Sequence, residues 1–288
     1  GQFASRAQRM ILRDLLTLGQ QRLKLAHIDT AGRDARLLAA AAMEINTAQV
    51  TLKALDHVSK QQQDHFESMI EQRRNFKPVS RILGKRQFWN RWFEISPDVL
   101  DPRGDSEVLV NSALQQKADR ILDLGTGSGI LALTLLSEWP DALAVGVDIC
   151  EKALLIAQRN AVQLEVSDRF QAQKSDWFEA TSGQFDLIVS NPPYIGEDEI
   201  PHLDPDVRLY DPMIALSPGR DALQAYQNIA SDAIGYLKPG GRLLVEIGFR
   251  QGEAVRALFA SNGLKSVETI QDLNGLDRVV RAIKAKTV

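Results

Sequence analysis

The rhythm of hydrophobic positions changes twice along the chain. From about Ser5 to Asn75, apolar residues recur three and four apart, as in MILRDLLTL (10–18) and DARLLAAAAMEI (34–45). That spacing lines up one face of a helix and predicts a small helical domain over residues 1–75 without strands. Asp29 to Gly32 carries the polar and glycine residues that stop one helix and start the next. Between Phe76 and Glu107 the texture is different, with three prolines, two glycines and an aromatic cluster at Phe88, Trp89, Trp92 and Phe93. Residues 76–107 are read as a linker bearing a β-hairpin.

From residue 108 to 288, short apolar runs alternate with amphipathic stretches. The runs RILDLG (120–125), LAVGVDI (143–149), FQAQKSD (170–176), FDLIVSN (185–191) and GRLLVEIG (241–248) are separated by segments such as CEKALLIAQRNAVQL (150–164). This alternation predicts an α/β domain, a mostly parallel sheet with helices on both faces. Near the end, VETIQDL and DRVVRAIK flank Asn274-Gly275, so an antiparallel hairpin is expected at one sheet edge.

The first chemical signal lies in ILDLGTGSGILAL (121–133). A strand runs into Gly125-Thr126-Gly127-Ser128-Gly129 and a helix follows at once, which turns backbone amides and the positive helix end toward a ligand. A dinucleotide fingerprint needs glycine at its first, third and sixth positions. The sixth counted from Gly125 is Ile130, so the loop is a poor match for NAD or FAD. Asp123 precedes the loop, and Asp148 ends the next strand about 20 residues beyond the glycines, where a carboxylate can accept both ribose hydroxyl protons of an adenosine group. This combination resembles the class I S-adenosylmethionine-dependent methyltransferases. In the resembling fold the third strand end, Lys174 to Trp177, lies against adenine, with Asp176 or an edge of Trp177 placed to recognise it; a core-filling Trp177 is the alternative.

The stretch Asn191-Pro192-Pro193-Tyr194 ends another apolar run. Both Asn191 and Pro192 precede prolines and are driven to extended backbone, and the two prolines have fixed φ. The tetrapeptide is therefore rigid before any ligand arrives. Its Asn191 side-chain oxygen and Pro192 carbonyl are two acceptors free to converge on one planar NH2 group. Held by both protons, with Tyr194 over one face, such a nitrogen can be aimed at a methyl donor with no strong base nearby.

A narrower resemblance covers about residues 10 to 284. RILGKRQFW (81–89), DPRGDSE (101–107), ILDLGTGSG (121–129), SDWF (175–178), IVSNPPYI (188–195) and DVRLYDPMIAL (206–216) together resemble the peptide chain release factor glutamine methyltransferases, the HemK or PrmC family. The resemblance implies a Rossmann-like, seven-stranded methyltransferase domain and methyl transfer from S-adenosylmethionine to the glutamine amide of a release factor's Gly-Gly-Gln motif. It also implies cofactor contacts from Gly125, Thr126, Gly127, Ser128, Gly129, Asp148, Trp177 and Asn191. Asn191, Pro192, Pro193 and Tyr194 become the glutamine site, with Asn191, Pro192 and Tyr194 as the catalytic group, and the helical domain helps to dock the protein substrate. One position departs: where the family reads Pro-Arg-Pro-Asp, this chain has Pro102-Arg103-Gly104-Asp105, which loosens the backbone around Arg103. Arg103 and Glu107 are candidates for supporting the pocket mouth, or for an exposed ion pair.

Composition narrows the alternatives. Lys and Arg total 34 against 37 Asp and Glu, a net charge of −3, which argues against a long polyanion as the main partner. Lys85, Arg86 and Arg91 lie among the linker aromatics, but a solvated hairpin with its apolar side packed between domains is the preferred account. Cys150 is the single cysteine and no long apolar stretch is present, so a cytoplasmic protein without membrane contact is expected. His27, His57, His65 and His202 show no metal-ligand spacing, and no metal is expected. The expected protein is a monomer that acts on release factors and does not bind nucleic acid directly. The alternatives are a ribosomal-protein glutamine methyltransferase, an adenine-N6 methyltransferase acting on DNA or RNA, and a cofactor-binding module without catalysis.

Overall fold

The computed structural model describes residues 10–286. In chain order the elements begin with α1 (Leu12–Leu25), α2 (Ala31–Ala42), α3 (Gln49–Leu52), α4 (Lys60–Arg74) and α5 (Val79–Leu83), followed by the hairpin strands β1 (Lys85–Phe88) and β2 (Arg91–Glu94). Next come α6 (Ser106–Leu114), β3 (Arg120–Leu124), α7 (Ile130–Glu138), β4 (Leu143–Asp148), α8 (Glu151–Gln163), β5 (Phe170–Lys174) and β6 (Phe185–Ser190). After a 3-10 turn at Ile200–His202 the chain forms α9 (Pro205–Arg208), α10 (Met213–Leu216), α11 (Gln224–Tyr236), β7 (Leu237–Glu246), α12 (Gly252–Ser261), β8 (Lys265–Gln271) and β9 (Asp277–Ile283). Two compact units result: residues up to Gly84 together with Asp204–Tyr210, and Lys85–Leu203 together with the chain from Asp211 onward.

In the helical unit the three-and-four spacing becomes a shared core. Leu12, Leu15 and Leu23 of α1, Ala35, Leu38 and Ala39 of α2, and Phe66, Met69 and Ile70 of α4 are all buried. The α4 helix starts on a capping box: Ser59 Oγ accepts the Gln62 N–H at 3.2 Å and Gln62 Oε1 accepts the Ser59 N–H at 2.9 Å. The unit runs on through α5 to Gly84, past the change in texture at Phe76, and takes in the seven residues 204–210. That segment is tied to α4 and its end. The buried Arg73 guanidinium meets Asp34 at 2.8 Å and Asp206 at 3.1 Å, and Tyr210 Oη donates to the Asn75 carbonyl at 2.6 Å.

The second unit is built on a seven-stranded sheet in the order β5-β4-β3-β6-β7-β9-β8. Strands β3 to β7 are parallel, while β9 runs antiparallel to both β7 and β8, so the expected hairpin closes one edge. Ile121, Leu122, Asp123 and Leu124 of β3 are all buried, as a strand covered on both faces requires. Helix α7 is buried from Ile130 to Leu136, which accounts for its lack of a polar face. By contrast, α8 buries Ala153, Ile156, Ala157, Asn160 and Ala161 on one side only. The chain leaves β3 toward β4 on one side and returns as β6 on the other, so the carboxyl ends of β3 and β6 flank a topological switch point, where open α/β sheets bind their ligands.

The β1–β2 hairpin belongs to this second unit. Phe88 and Phe93 pack edge to face in the same core as Leu109 and Leu131. On its outer side Lys85 lies 4.9 Å over Trp92, Arg86 pairs with Asp101 at 3.5 Å and Arg91 pairs with Glu138 at 2.8 Å. Among the described residues, no helix is long and apolar enough to cross a membrane, and no cluster of His, Cys, Asp or Glu is arranged to hold a metal.

Candidate active site

Four neighbouring strand ends open onto one cavity of about 310 Å³, within the roughly 300–1,000 Å³ usual for small-molecule sites. Gly125, Thr126, Gly127 and Ser128 follow β3, Asp148 ends β4, Trp177 follows β5, and Asn191 and Pro193 follow β6; all line this space. Sequence positions up to 68 residues apart meet because parallel strands bring their carboxyl ends to one side.

Local hydrogen bonding explains the loop's shape. Thr126 N–H donates to the Val147 carbonyl at 2.8 Å, and Gly127 N–H donates to Asp148 Oδ2 at 2.9 Å, so the glycine loop is tied to β4. Asp148 Oδ1 accepts the Cys150 N–H at 2.9 Å. Each carboxylate oxygen retains lone-pair capacity for a further donor. Burial pushes the Asp148 pKa up, against the backbone donors that pull it down.

Gly127 has φ +54° and nothing within 4 Å of where a Cβ would stand, so the cavity comes up to the main chain there. Gly129 is different. It does not line the cavity; it starts α7 at φ +82°, and a Cβ would stand 2.8 Å from Leu133 Cδ1 and 3.2 Å from Ala157 Cβ. Its place is explained by close packing of α7 on α8.

Asp123 also borders the cavity, at 1% exposure. Its Oδ2 accepts from Thr126 Oγ1 at 2.8 Å and the Ala132 N–H at 3.2 Å, while Oδ1 is buried with no hydrogen-bond partner. Burial raises its pKa to about 7, partly offset by those two donors. A buried acceptor without a donor, a cavity-lining carboxylate at Asp148 and a backbone surface open at Gly127 suit a cationic, hydroxyl-rich adenosine ligand, and S-adenosylmethionine has that donor set.

Within the tetrapeptide, Asn191 and Pro193 line the cavity, whereas Pro192 and Tyr194 are not among its lining residues. Pro192 is buried, and Tyr194 is held by its carbonyl, which accepts from Gln251 Nε2 at 2.9 Å. The Tyr194 hydroxyl lies 3.5 Å from Glu246 Oε1, and burial pushes its pKa well up, which keeps the phenol protonated. Arg103 pairs with Asp211 at 3.2 Å, with its own side chain 46% exposed.

Three supporting residues escaped sequence reasoning. Buried Asn160 donates to the Ser128 carbonyl at 2.9 Å and clasps Glu94 through both its N–H and its carbonyl, fastening the glycine loop to β2. Ser106, at the start of α6, lines the cavity and donates to Glu246 Oε2 at 2.5 Å. Glu246 carried a readable signal, since it ends the otherwise apolar GRLLVE as Asp148 ends LAVGVD.

The comparisons agree with this geometry. Residues 14–84 match the PrmC N-terminal domain, and residues 85–203 match the methyltransferase small domain. A release factor glutamine methyltransferase of Cereibacter sphaeroides is 46% identical over 93% of this chain and 97% of its own length. One from Agrobacterium fabrum is 41% identical over 92% and 94%. Among solved structures, the hMettl16 catalytic domain bound to the MAT2A 3'UTR hairpin 1 aligns with a TM-score of 0.59 at 14% identity, covering 74% of this chain and 85% of that one. A methyltransferase from Pyrococcus furiosus aligns at 0.52 and 17%, covering 67% and 88%. At those identities the structural likenesses speak for the fold alone. The full-length relatives, with the helical-domain match, establish that this chain belongs to the release factor glutamine methyltransferase family.

Proposed function

We propose that the protein transfers a methyl group from S-adenosylmethionine to the side-chain amide nitrogen of the glutamine in the Gly-Gly-Gln motif of peptide chain release factors. The observation that carries the proposal is the shared cavity: Asn191, at the end of β6, faces the same space as the glycine loop and Asp148, at the ends of β3 and β4. Family membership supplies the substrate class.

When bound, S-adenosylmethionine supplies an electrophilic sulfonium methyl. Asp148 would accept the ribose hydroxyl protons, and the Gly125 to Ser128 backbone together with Trp177, which line the same cavity, would hold the rest of the adenosine group. Asn191 Oδ1 and the Pro192 carbonyl accept the two amide protons of the substrate glutamine, which fixes the nitrogen's plane, and Tyr194 supports that segment. An amide nitrogen is a weak nucleophile, so orientation carries most of the rate. Transfer would form one N–C bond as the sulfonium C–S bond breaks, with S-adenosylhomocysteine as the leaving group and one proton passing from the amide nitrogen to solvent water. The protein acts in the cytoplasm as a monomer on a protein substrate, with the helical unit contributing to docking.

The test is transfer of label from S-adenosylmethionine to a purified release factor, beside a copy whose Gly-Gly-Gln glutamine is replaced by glutamate. Label on the first and none on the second supports the proposal. No label on either, with cofactor binding intact, overturns the substrate and directs the assay to ribosomal protein and then to adenine in nucleic acid.

A further inference from the structure

An asparagine amide is nearly symmetric in shape, so its surroundings decide whether oxygen or nitrogen faces a ligand. For Asn191 that choice is decisive, because an amide NH2 turned toward a substrate NH2 would set donors against donors. Register places Ser190 of β6 opposite Val245 of β7, which makes Glu246 the next neighbour of Asn191 at the strand ends. From Asn191 a line of polar groups leads inward: Asn191 Nδ2 lies 3.5 Å from Ser106 Oγ, and Ser106 Oγ donates to Glu246 Oε2 at 2.5 Å. Ser106 and Glu246 are 2% and 3% exposed, so water has little access to the bond between them.

We propose that Glu246 and Ser106 are positioning residues that set the orientation of the Asn191 amide, turning its oxygen toward the nitrogen to be methylated. The inference rests on the reading of Asn191 as an acceptor for that nitrogen. A serine hydroxyl has one proton to give. When Glu246 is ionised it takes that proton, Ser106 Oγ is left to accept from Asn191 Nδ2, and Asn191 Oδ1 remains for the substrate. When Glu246 is protonated it donates to Ser106 Oγ, and the serine proton then points to Asn191, which favours the reversed amide.

The groups facing Glu246 come from each neighbouring element. Tyr194 Oη reaches Oε1 at 3.5 Å, and Tyr226 Oη of α11 donates to the Glu246 backbone carbonyl at 2.9 Å. Asp105 and Arg103 approach from the segment before α6, and Arg278 from β9. Arg278 pairs with Asp105 at 3.1 Å and Arg103 with Asp211 at 3.2 Å, so neither cation is given to Glu246 alone. Burial accordingly pushes the Glu246 carboxyl up to about 7, against the Ser106 bond that lowers it, and the polarity of the chain changes within the range of an enzyme assay.

The experiment measures methyl transfer between about pH 5.5 and pH 9 for the parent, Glu246→Gln, Ser106→Ala, Ser106→Thr and the Glu246→Gln/Ser106→Ala pair, with S-adenosylhomocysteine affinity as the check on folding. Glu246→Gln is expected to lower kcat about tenfold, to leave cofactor affinity within about threefold, and to erase the rise in rate near neutrality. Ser106→Ala should lower kcat by a similar factor, Ser106→Thr should restore it, and the double variant should fall no further than the worse single one. Parental kcat with the parental pH limb in Glu246→Gln would overturn the inference, as would losses that multiply in the double variant. Transfer by the parent to the release factor reports separately on the substrate. If the parent labels another acceptor instead, the same ratios are read on that acceptor.

Discussion

Ser190 Oγ donates to the Leu124 carbonyl at 2.7 Å, and each residue stands immediately before a functional segment, Ser190 before Asn191 and Leu124 before Gly125. The bond is fully buried and joins the ends of β3 and β6, so the glycine loop and the tetrapeptide 191–194 are fastened to each other at the point where they diverge. Ser190→Ala leaves a buried carbonyl short of a donor and is expected to cost about 1–2 kcal/mol in urea unfolding. Because the two motifs lose their common fixing point, kcat should fall more than cofactor affinity does.

The glycines of the loop separate into two roles. Gly127→Ala places a methyl group in open space at φ +54° and is expected to cost about 1–2 kcal/mol of backbone strain. The added methyl faces the cavity, so S-adenosylhomocysteine affinity by calorimetry should weaken about tenfold or more. Gly129→Ala meets Leu133 and Ala157 in addition to φ +82°, and its larger effect should be on stability, about 2–4 kcal/mol.

Asp123 makes the unliganded protein sensitive to pH. Its folded pKa of about 7 lies above the unfolded value of about 3.9, so the native state holds a proton that the unfolded chain has already released. This group's contribution is therefore full below about pH 4, declines as pH rises toward 7, and is lost above that. The unfolding free energy of Asp123→Asn minus that of the parent should climb by on the order of 3 kcal/mol between about pH 4 and pH 8. Urea titrations at several pH values measure it; a difference independent of pH would contradict the buried, unpartnered carboxyl.

The strand ends were legible in the sequence because each is an apolar run cut off by a glycine, an acid or a proline. RILDLG, LAVGVDI and FDLIVSN became β3, β4 and β6, and the acid closing the second, with the prolines closing the third, lines or flanks the cavity. Helices α1 and α2 were legible for a different reason, the recurrence of apolar residues three and four apart. The four- and five-residue helices α3, α5, α9 and α10 are too short for periodicity to register. Ser106 and Glu246 are 140 residues apart, and Asn160 bonds to Glu94 across 66, so no local pattern announces those polar links. Residues 204–210 join the helical unit through Arg73, a partner remote in sequence. Gly129 is expected among the cofactor glycines from the family resemblance; the packing of Leu133 and Ala157 gives a second reason for its missing side chain that no sequence pattern shows.

Whether Asn191 holds the substrate nitrogen is decided by comparing label transfer to a release factor by the parent and by Asn191→Ala at matched cofactor saturation. Asn191 is half-buried at a cavity edge, so its truncation removes an acceptor and little core volume. The expected result is loss of transfer by about a hundredfold or more, with thermal unfolding nearly unchanged and S-adenosylhomocysteine affinity within about tenfold of the parent. Transfer at the parental rate by Asn191→Ala would contradict the amide-clamp account.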